Sequence, residues 1–439
     1  MENVAIVGGG ITGLILGYLL SKKSYKVTLF EKDSETGGLA GAYERNGVFI
    51  DKYYRHLFQS HKELIDLIKE LNLEERIIFR KAQMGYFTSG ELFSLNSAMD
   101  LLRFKPLDFI SRLRVGWSLS GFLFKKDWKH FDSIRAVDYL KSTCGEKGFK
   151  IFWEPLLMNK FGNCYSDVSA AWLWDRVMSR NRSRAGKSKE TLGYLEGSFQ
   201  VLLDRLEEEI IKHNGEIIRN CEIKKISRPP GSIGYFSLNS ENRVFKKFDL
   251  CIVTVPVPHF IDIYPGLPEE YVSALENVNY AHSRCMILNL NKRLSDYYWI
   301  NVGDASFPFA VIIEHTNWMN NDDYNGEHIV YISRYLNSED DYTWKAPDDV
   351  LYSIYCRFLK KIFPHFDESM VNGFTSWREK YTQPIFKVGY STQIPPYQTP
   401  IRDLYLVNTS QFYPMSRCMN TSIISANRFI GGLERKPGK

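Results

Sequence analysis

Cysteine is scarce in this chain and forms no paired pattern. Seven cysteines among 439 residues, at positions 144, 164, 221, 251, 285, 356 and 418, make an odd count with no C-x-x-C pair. That distribution offers neither a zinc site nor a disulfide framework, so no metal is expected and a reducing, cytoplasmic location is. A run of about 18 apolar residues is also missing, which argues against a membrane-spanning helix. The apolar N-terminus lacks the basic flank of a signal peptide, so none is expected. Charge of one sign is not in large excess: the formal net charge is +5, no nucleic-acid motif accompanies it, and a nucleic-acid partner is not expected. Internal repeats and low-complexity linkers are absent. Aromatic residues are plentiful, with 26 Tyr and 28 Phe, which suits a cavity lined by rings as well as an ordinary core. A chain of this length, 44% hydrophobic, has the material for two domains.

The first thirty-one residues carry the sharpest signal. Val4-Ala5-Ile6-Val7 reads as a buried strand, and Gly8, Gly10 and Gly13 follow on the G-x-G-x-x-G spacing. An apolar helix comes next, then a second strand from Lys26 to Phe30 that ends in Glu31, with Lys32 beside it. Gly8 permits the turn out of the strand. Gly10 lets a pyrophosphate approach the backbone, and Gly13 lets helix and strand pack closely. Ile11, Thr12 and Gly13 present unpaired N–H groups at the positive end of the helix dipole. The Glu31 carboxylate can accept both ribose hydroxyls and would repel a 2′-phosphate.

Downstream, Glu35-Thr36-Gly37-Gly38-Leu39 brings a second glycine cluster, and Asn46-Gly47 marks a hairpin between 43–45 and 48–50. Residues 62–73 have the periodicity of an amphipathic helix. The βα style lapses over 76–190, which reads as mainly helical. It returns near 191, with strands expected at 216–227, 234–239, 243–247 and 248–255. A buried strand at 404–407 and a helix near 421–433 close the chain. The expected fold class is α/β: a Rossmann-like nucleotide-binding domain assembled from discontinuous segments, with an interleaved α+β substrate domain. The nucleotide segments are 1–75, 191–258 and 385–439, and the substrate segments are 76–190 and 259–384.

The opening fingerprint serves NAD and FAD alike. Its place at the extreme N-terminus, the Gly37-Gly38 pair and a further nucleotide-like segment near the C-terminus favour FAD. No second fingerprint offers a dedicated NAD(P)H site, so NAD(P)H as reductant would have to use the substrate domain. Among polar residues, Glu314 and His315 follow the apolar strand 311–313, and Glu154 stands between Trp153 and Pro155. All three are candidate acids or bases, with Arg284 a weaker one. Adjacent strand residues face opposite ways, so at most one of Glu314 and His315 should reach a cavity. Tyr381, Gln383, Tyr390 and Tyr413 are candidate cavity-lining groups. Arg180, Arg182, Arg184, Lys187 and Lys189 form the densest basic run, which reads either as a phosphate-recognising loop or as a solvated one. Residues 101–130 mix Leu, Phe and Trp with Lys and Arg. They read as a helical cap over the cavity or as a peripheral contact with an anionic membrane at its inner face.

With these motifs in place, the chain resembles the flavin-containing amine oxidase superfamily, which includes protoporphyrinogen oxidases and, more distantly, UDP-galactopyranose mutases. The likeness is strongest over 1–60 and is also carried by Trp153–Leu157, Glu314–Asn317, Tyr381–Pro384 and Asn408–Gln411. The closest similarity within the group is to bacterial proteins often associated with surface-polysaccharide genes. The resemblance implies FAD, with Gly37 and Gly38 at its diphosphate and the Ile223 backbone at its adenine. Asn420, Thr421 and Ser422 would face the flavin pyrimidine. Leu39 stands where many members have Arg, and Cys418 where close relatives have Gly. His56 resembles the histidine that the mutases place beside the flavin, though it also reads as an interior hydrogen-bonded histidine. The implied activity is FAD-dependent oxidoreduction, with hydride passing between a substrate carbon and flavin N5. The implied substrate is a small molecule, a glycan or sugar-nucleotide precursor that bears phosphate or is lipid-linked. The alternatives are a mutase that uses reduced flavin and a non-catalytic binding protein on the same fold.

Overall fold

The computed structural model describes residues 2–125, 127–184, 191–228 and 235–434. At its centre lies a five-stranded parallel sheet whose strand order is Glu216–Ile218, Lys26–Phe30, Asn3–Val7, Leu250–Val253, Leu404–Leu406. Register is unbroken through the middle, Val7 opposite both Phe30 and Val253. These strands are almost wholly apolar because both faces are covered, as parallel sheets require. The helix Ile11–Lys22 packs between the helices Gln200–Lys212 and Met419–Glu434, which explains why it is apolar on nearly every side.

A second, seven-stranded sheet runs Val371–Pro384, Tyr280–Leu290, His328–Leu336, Val311–Glu314, Trp299–Val302, Met84–Thr88, Glu91–Ser94. Along Tyr280–Leu290 the side chains alternate. Met286, Leu288 and Leu290 pack under the helix Asp348–Ile362, whereas Cys285 and Ile287 join the core shared with the nucleotide sheet. That shared core ties the two sheets together.

The segment 76–190 departs from the helical reading at its start. Strands Ile77–Lys81, Met84–Thr88 and Glu91–Ser94 precede the helices. Ser89 and Gly90, both at positive φ, make the tight turn between the last two strands, and Met84–Thr88 finds its parallel partner in Trp299–Val302. The helical cap then follows, chiefly Phe109–Phe124, Ala136–Gly148, Glu154–Phe161 and Ala170–Arg184. The expected strand 216–227 is two strands, Glu216–Ile218 and Lys225–Ser227, because the intervening chain leaves the parallel sheet for a small antiparallel one. All seven cysteines are unpaired. Among the described residues, no helix is long and apolar enough to cross a membrane and no cluster has a metal-ligand set.

Candidate functional site

The nucleotide cradle forms where the first strand meets its helix. Gly8 sits at φ +107°, and a Cβ there would meet Thr254 Oγ1 at 2.6 Å. A Cβ on Gly13 would lie 2.0 Å from the Gly8 carbonyl oxygen, so helix and strand touch backbone to backbone. Gly10 is different: a Cβ there would meet nothing within 4 Å. The space in front of Gly10 is bounded by Gly37 and Gly38. The Gly37 N–H donates to the Gly9 carbonyl at 2.8 Å, and a Cβ on Gly38 would come 3.5 Å from Gly10 Cα. No side chain caps the helix that begins at Ile11, and its first turn carries no acid. The N–H groups of Ile11, Thr12 and Gly13 are therefore presented toward an anion. Leu39, half-buried, contributes no charge here, and Lys32 is exposed.

Glu31 ends the second strand as expected. Its buried carboxylate accepts the Gly9 N–H at 2.7 Å and the Asp33 N–H at 3.0 Å. Burial raises its pKa, against the two N–H donors. Two of roughly four acceptor positions remain for ribose hydroxyls. Asn220 and Cys221 donate to the carbonyls of Asp33 and Glu31, which holds the segment leading to Ile223 beside the Glu31 end of the cradle. The donor set, the open approach at Gly10 and the carboxylate all fit the diphosphate and ribose of FAD.

At the other end of the chain, the helix Met419–Glu434 buries Asn420, Thr421 and Ser422. The Asn420 side chain accepts from Leu64 N at 2.9 Å and donates to Glu63 at 3.0 Å, so it latches the helix Lys62–Glu70. Thr421 Oγ1 donates to the Ser416 carbonyl, and Cys418 Sγ lies 3.2 Å from that hydroxyl. The side chains of Asn420 and Thr421 are thus engaged by protein, and the backbone at the helix start is what this turn can offer a ligand.

His56 lies deep in the molecule, its Nδ1 3.2 Å from Tyr298 Oη. Burial, then Arg180 and Arg176, push it down to about 3, so at neutral pH it is an uncharged hydrogen-bonding group. Tyr53, Tyr54 and Arg55 beside it are half-buried, and burial raises the pKa of both tyrosines and lowers that of Arg55.

The other candidates are scattered. Glu314 and His315 do not share a cavity. Glu314 accepts from Leu294 N at 2.8 Å, Ser295 N at 2.9 Å and Ser295 Oγ at 3.1 Å. His315 Nε2 bonds Tyr324 Oη at 2.7 Å inside a box of Tyr194, Trp318 and Tyr331. Glu154 accepts from Tyr165 Oη at 2.6 Å. Arg284, fully buried, ties its strand to Asp348 and to the Trp344 and Ala346 carbonyls. Tyr381 packs on His259 and Tyr280, and Gln383 donates to the Pro384 carbonyl. Tyr413 bonds Asp132 and Ser169, and Tyr390 donates to the Ser410 carbonyl. Arg180 and Arg182 are exposed on the helix Ala170–Arg184. The Arg184 side chain, Lys187 and Lys189 lie outside the described residues.

A family model described as flavin containing amine oxidoreductase matches residues 11–428. The chain belongs to that family. FAD is accordingly the cofactor, and the chain stands among FAD-dependent oxidoreductases. Protoporphyrinogen oxidase 2 of Arabidopsis thaliana is 32% identical over 333 residues, covering 66% of this chain and 65% of that protein. The chain thus spans just under two thirds of that relative's length. A solved structure from Exiguobacterium sp. 255-15, classed as a protoporphyrinogen oxidase, has the same fold at TM-score 0.80 and 20% identity, covering 99% of this chain and 98% of that one. Reduced UDP-galactopyranose mutase also shares the fold, at TM-score 0.76 and 14% identity, over 100% of this chain and 97% of that one.

Sequence reasoning missed one set of residues altogether. Lys160, Arg176, Tyr335 and Arg417 are coupled electrostatically, and Arg417 is coupled in turn to Arg55. The one available signal was Arg176, four positions before Arg180 and so on the same face of one helical stretch.

Proposed function

We propose that this chain is an FAD-dependent oxidoreductase that moves a hydride between a carbon of a small, phosphate-bearing substrate and flavin N5. A glycan or sugar-nucleotide precursor is the substrate class we favour. The observation that carries the reading is the pairing of a complete nucleotide cradle with a half-buried polar stretch at Tyr53–His56. The cradle holds the cofactor, which supplies the redox chemistry; the protein supplies position and exclusion of water. His56, neutral and tied to Tyr298, orients or hydrogen-bonds a ligand without adding charge.

A reduced-flavin mutase is the second reading, favoured by the shared fold of the UDP-galactopyranose mutase and by the coupled cationic residues of the interior. The visible spectrum of the freshly purified protein, before and after anaerobic NADH or NADPH, tests both. A flavin band is expected. If it bleaches, a nicotinamide feeds the flavin, and substrate turnover without stoichiometric reductant would then select the mutase. A band that stays oxidised selects an enzyme that draws electrons from its own substrate. A colourless protein that cannot be reconstituted with FAD would sink the proposal and leave a non-catalytic binding role.

The cap helix Phe109–Phe124 suggests where the enzyme works. Val115, Ser118 and Phe122 face inward, whereas Phe109, Ile110, Leu113, Trp117 and Phe124 form an exposed apolar stripe on the other side. Exposed Arg103, Lys105, Arg114 and Lys125 flank it. An apolar helix face rimmed by cations matches an anionic lipid surface. Co-sedimentation with phosphatidylglycerol vesicles is expected, with little on phosphatidylcholine, and Trp117→Glu should abolish it while flavin content is unchanged. Equal binding of both lipids, or of the variant, would remove the membrane role.

A further inference from the structure

Arg55, Lys160, Arg176, Tyr335 and Arg417 come from five separate parts of the chain: the turn after the first hairpin, the helices Glu154–Phe161 and Ala170–Arg184, the strand His328–Leu336 and the approach to the last helix. All five are half-buried, and electrostatic coupling through Arg417 and Tyr335 links them around one partly accessible interior region. Lys160 Nζ stands 4.0 Å from the centre of the Tyr335 ring, and Arg417 Nη2 donates to Tyr335 Oη at 3.4 Å. Two carboxylates among the described residues lie beside this set, and Asp51 Oδ1 has no hydrogen-bond partner. Asp51 accepts from Tyr194 Oη at 2.6 Å and pairs with Arg55 at 3.7 Å. Asp175 accepts from Ser416 N at 2.9 Å and Ser416 Oγ at 3.2 Å.

Four cations therefore face two carboxylates. Among the described residues, Arg55 Nε and Nη2 and Arg417 Nε are buried without a hydrogen-bond acceptor. Buried guanidinium N–H groups with no acceptor are costly, and natural sites rarely leave them so without a ligand. The positive potential acts on the cluster itself: burial lowers the Lys160 pKa, and Arg417 and Arg176 lower it further.

We propose that this region binds a multiply charged oxyanion of the substrate, a phosphate or paired carboxylates, and rejects amines despite the family's name. The proposal rests on the small-molecule reading above and adds the residues of the site and the exclusion of amines. Planar guanidinium groups suit either oxyanion, since both present two oxygens to one Arg. An ammonium substrate would meet a net excess of like charge.

The test uses the FAD-loaded enzyme at constant ionic strength, titrated separately with inorganic pyrophosphate, the tricarboxylate tricarballylate, and putrescine. Flavin difference absorbance and thermal unfolding are the readouts. One of the two oxyanions should saturate and raise the unfolding temperature, and putrescine should do neither. The tighter oxyanion identifies the substrate's charged group as phosphate or carboxylate. Lys160→Met and Arg176→Gln should weaken binding at least about tenfold at unchanged flavin content, as loss of a buried charge-assisted contact does. Lys160→Arg, which keeps the charge, should retain binding, and Lys69→Gln on the surface should change nothing. No saturation by either oxyanion at millimolar concentration, tighter binding of putrescine, or equal weakening by Lys69→Gln would overturn the site. Loss of flavin from the unmutated protein would instead overturn the flavin reading, so the two failures are distinguishable.

Discussion

Gly10→Val should yield a folded protein that no longer retains flavin. Most glycine substitutions in such a cradle damage the fold as well, which hides their meaning. Gly10 escapes this because its backbone, at φ −65° and ψ 173°, suits any residue, and its Cβ direction is open to 4 Å. The added side chain fills the approach to the N–H groups of Ile11, Thr12 and Gly13, where the diphosphate must come to hydrogen-bond distance. We expect apoprotein stability within about 0.5 kcal/mol of the parent, as for a substitution that meets nothing. FAD affinity should fall by about 100-fold or more, some 3 kcal/mol. Gly13→Ala is the contrasting case. Its Cβ would press on the Gly8 carbonyl at 2.0 Å, so strand and helix must separate and stability falls with flavin binding. Urea unfolding of the apoproteins, with FAD titration followed by flavin fluorescence, separates the two. A Gly10→Val protein that binds FAD normally would show that the diphosphate lies elsewhere.

Replacing Glu314 should destabilise the fold without altering turnover per folded molecule. Its carboxylate is 2% exposed and receives two backbone N–H groups and a hydroxyl from Leu294 and Ser295. Asn317 pins the same turn through the Ser295 and Tyr297 carbonyls, at 2.7 and 2.8 Å. Glu314→Ala strands these donors in a dry interior at a cost of about 3 kcal/mol or more. Glu314→Gln keeps one acceptor oxygen and should cost less. The pH dependence has a definite sign. Burial raises the Glu314 pKa from 4.5 to about 7, against the pull of its donors. The folded state therefore binds a proton that the unfolded chain has released, and this group's contribution to stability is lost as pH rises from about 4.5 to about 7. Over that window the parent should lose stability relative to Glu314→Gln, by up to about 1.4 kcal/mol per pH unit. Urea midpoints from pH 5 to 8 measure it. If Glu314→Gln instead keeps its stability and loses turnover, the residue is a catalytic acid or base.

The cradle was legible in the chain because its chemistry is local. A glycine's need for positive φ, a helix start and an acidic strand end all lie within thirty-one consecutive residues. The hairpin at Asn46-Gly47 and the last helix were legible for the same reason. Side-chain function was much less so. Glu314 and His315 have the composition of an active site, but whether a carboxylate meets substrate or a neighbouring turn depends on which backbone N–H groups the fold carries past it. The strands at 77–94 were missed because Met84–Thr88 pairs with Trp299–Val302, far along the chain, and that partner leaves no local trace.

Residue order by itself pointed to a bound dinucleotide and to an α/β frame around it, since those follow from steric and dipolar rules acting over a few residues. Only the tertiary structure decided which charges meet in the interior. Arg55, Lys160, Arg176, Tyr335 and Arg417 are unremarked singly, each an ordinary polar residue on its own element. Their charge becomes consequential only when folding removes water from all five at once, because electrostatic energy grows as the surrounding medium loses its screening.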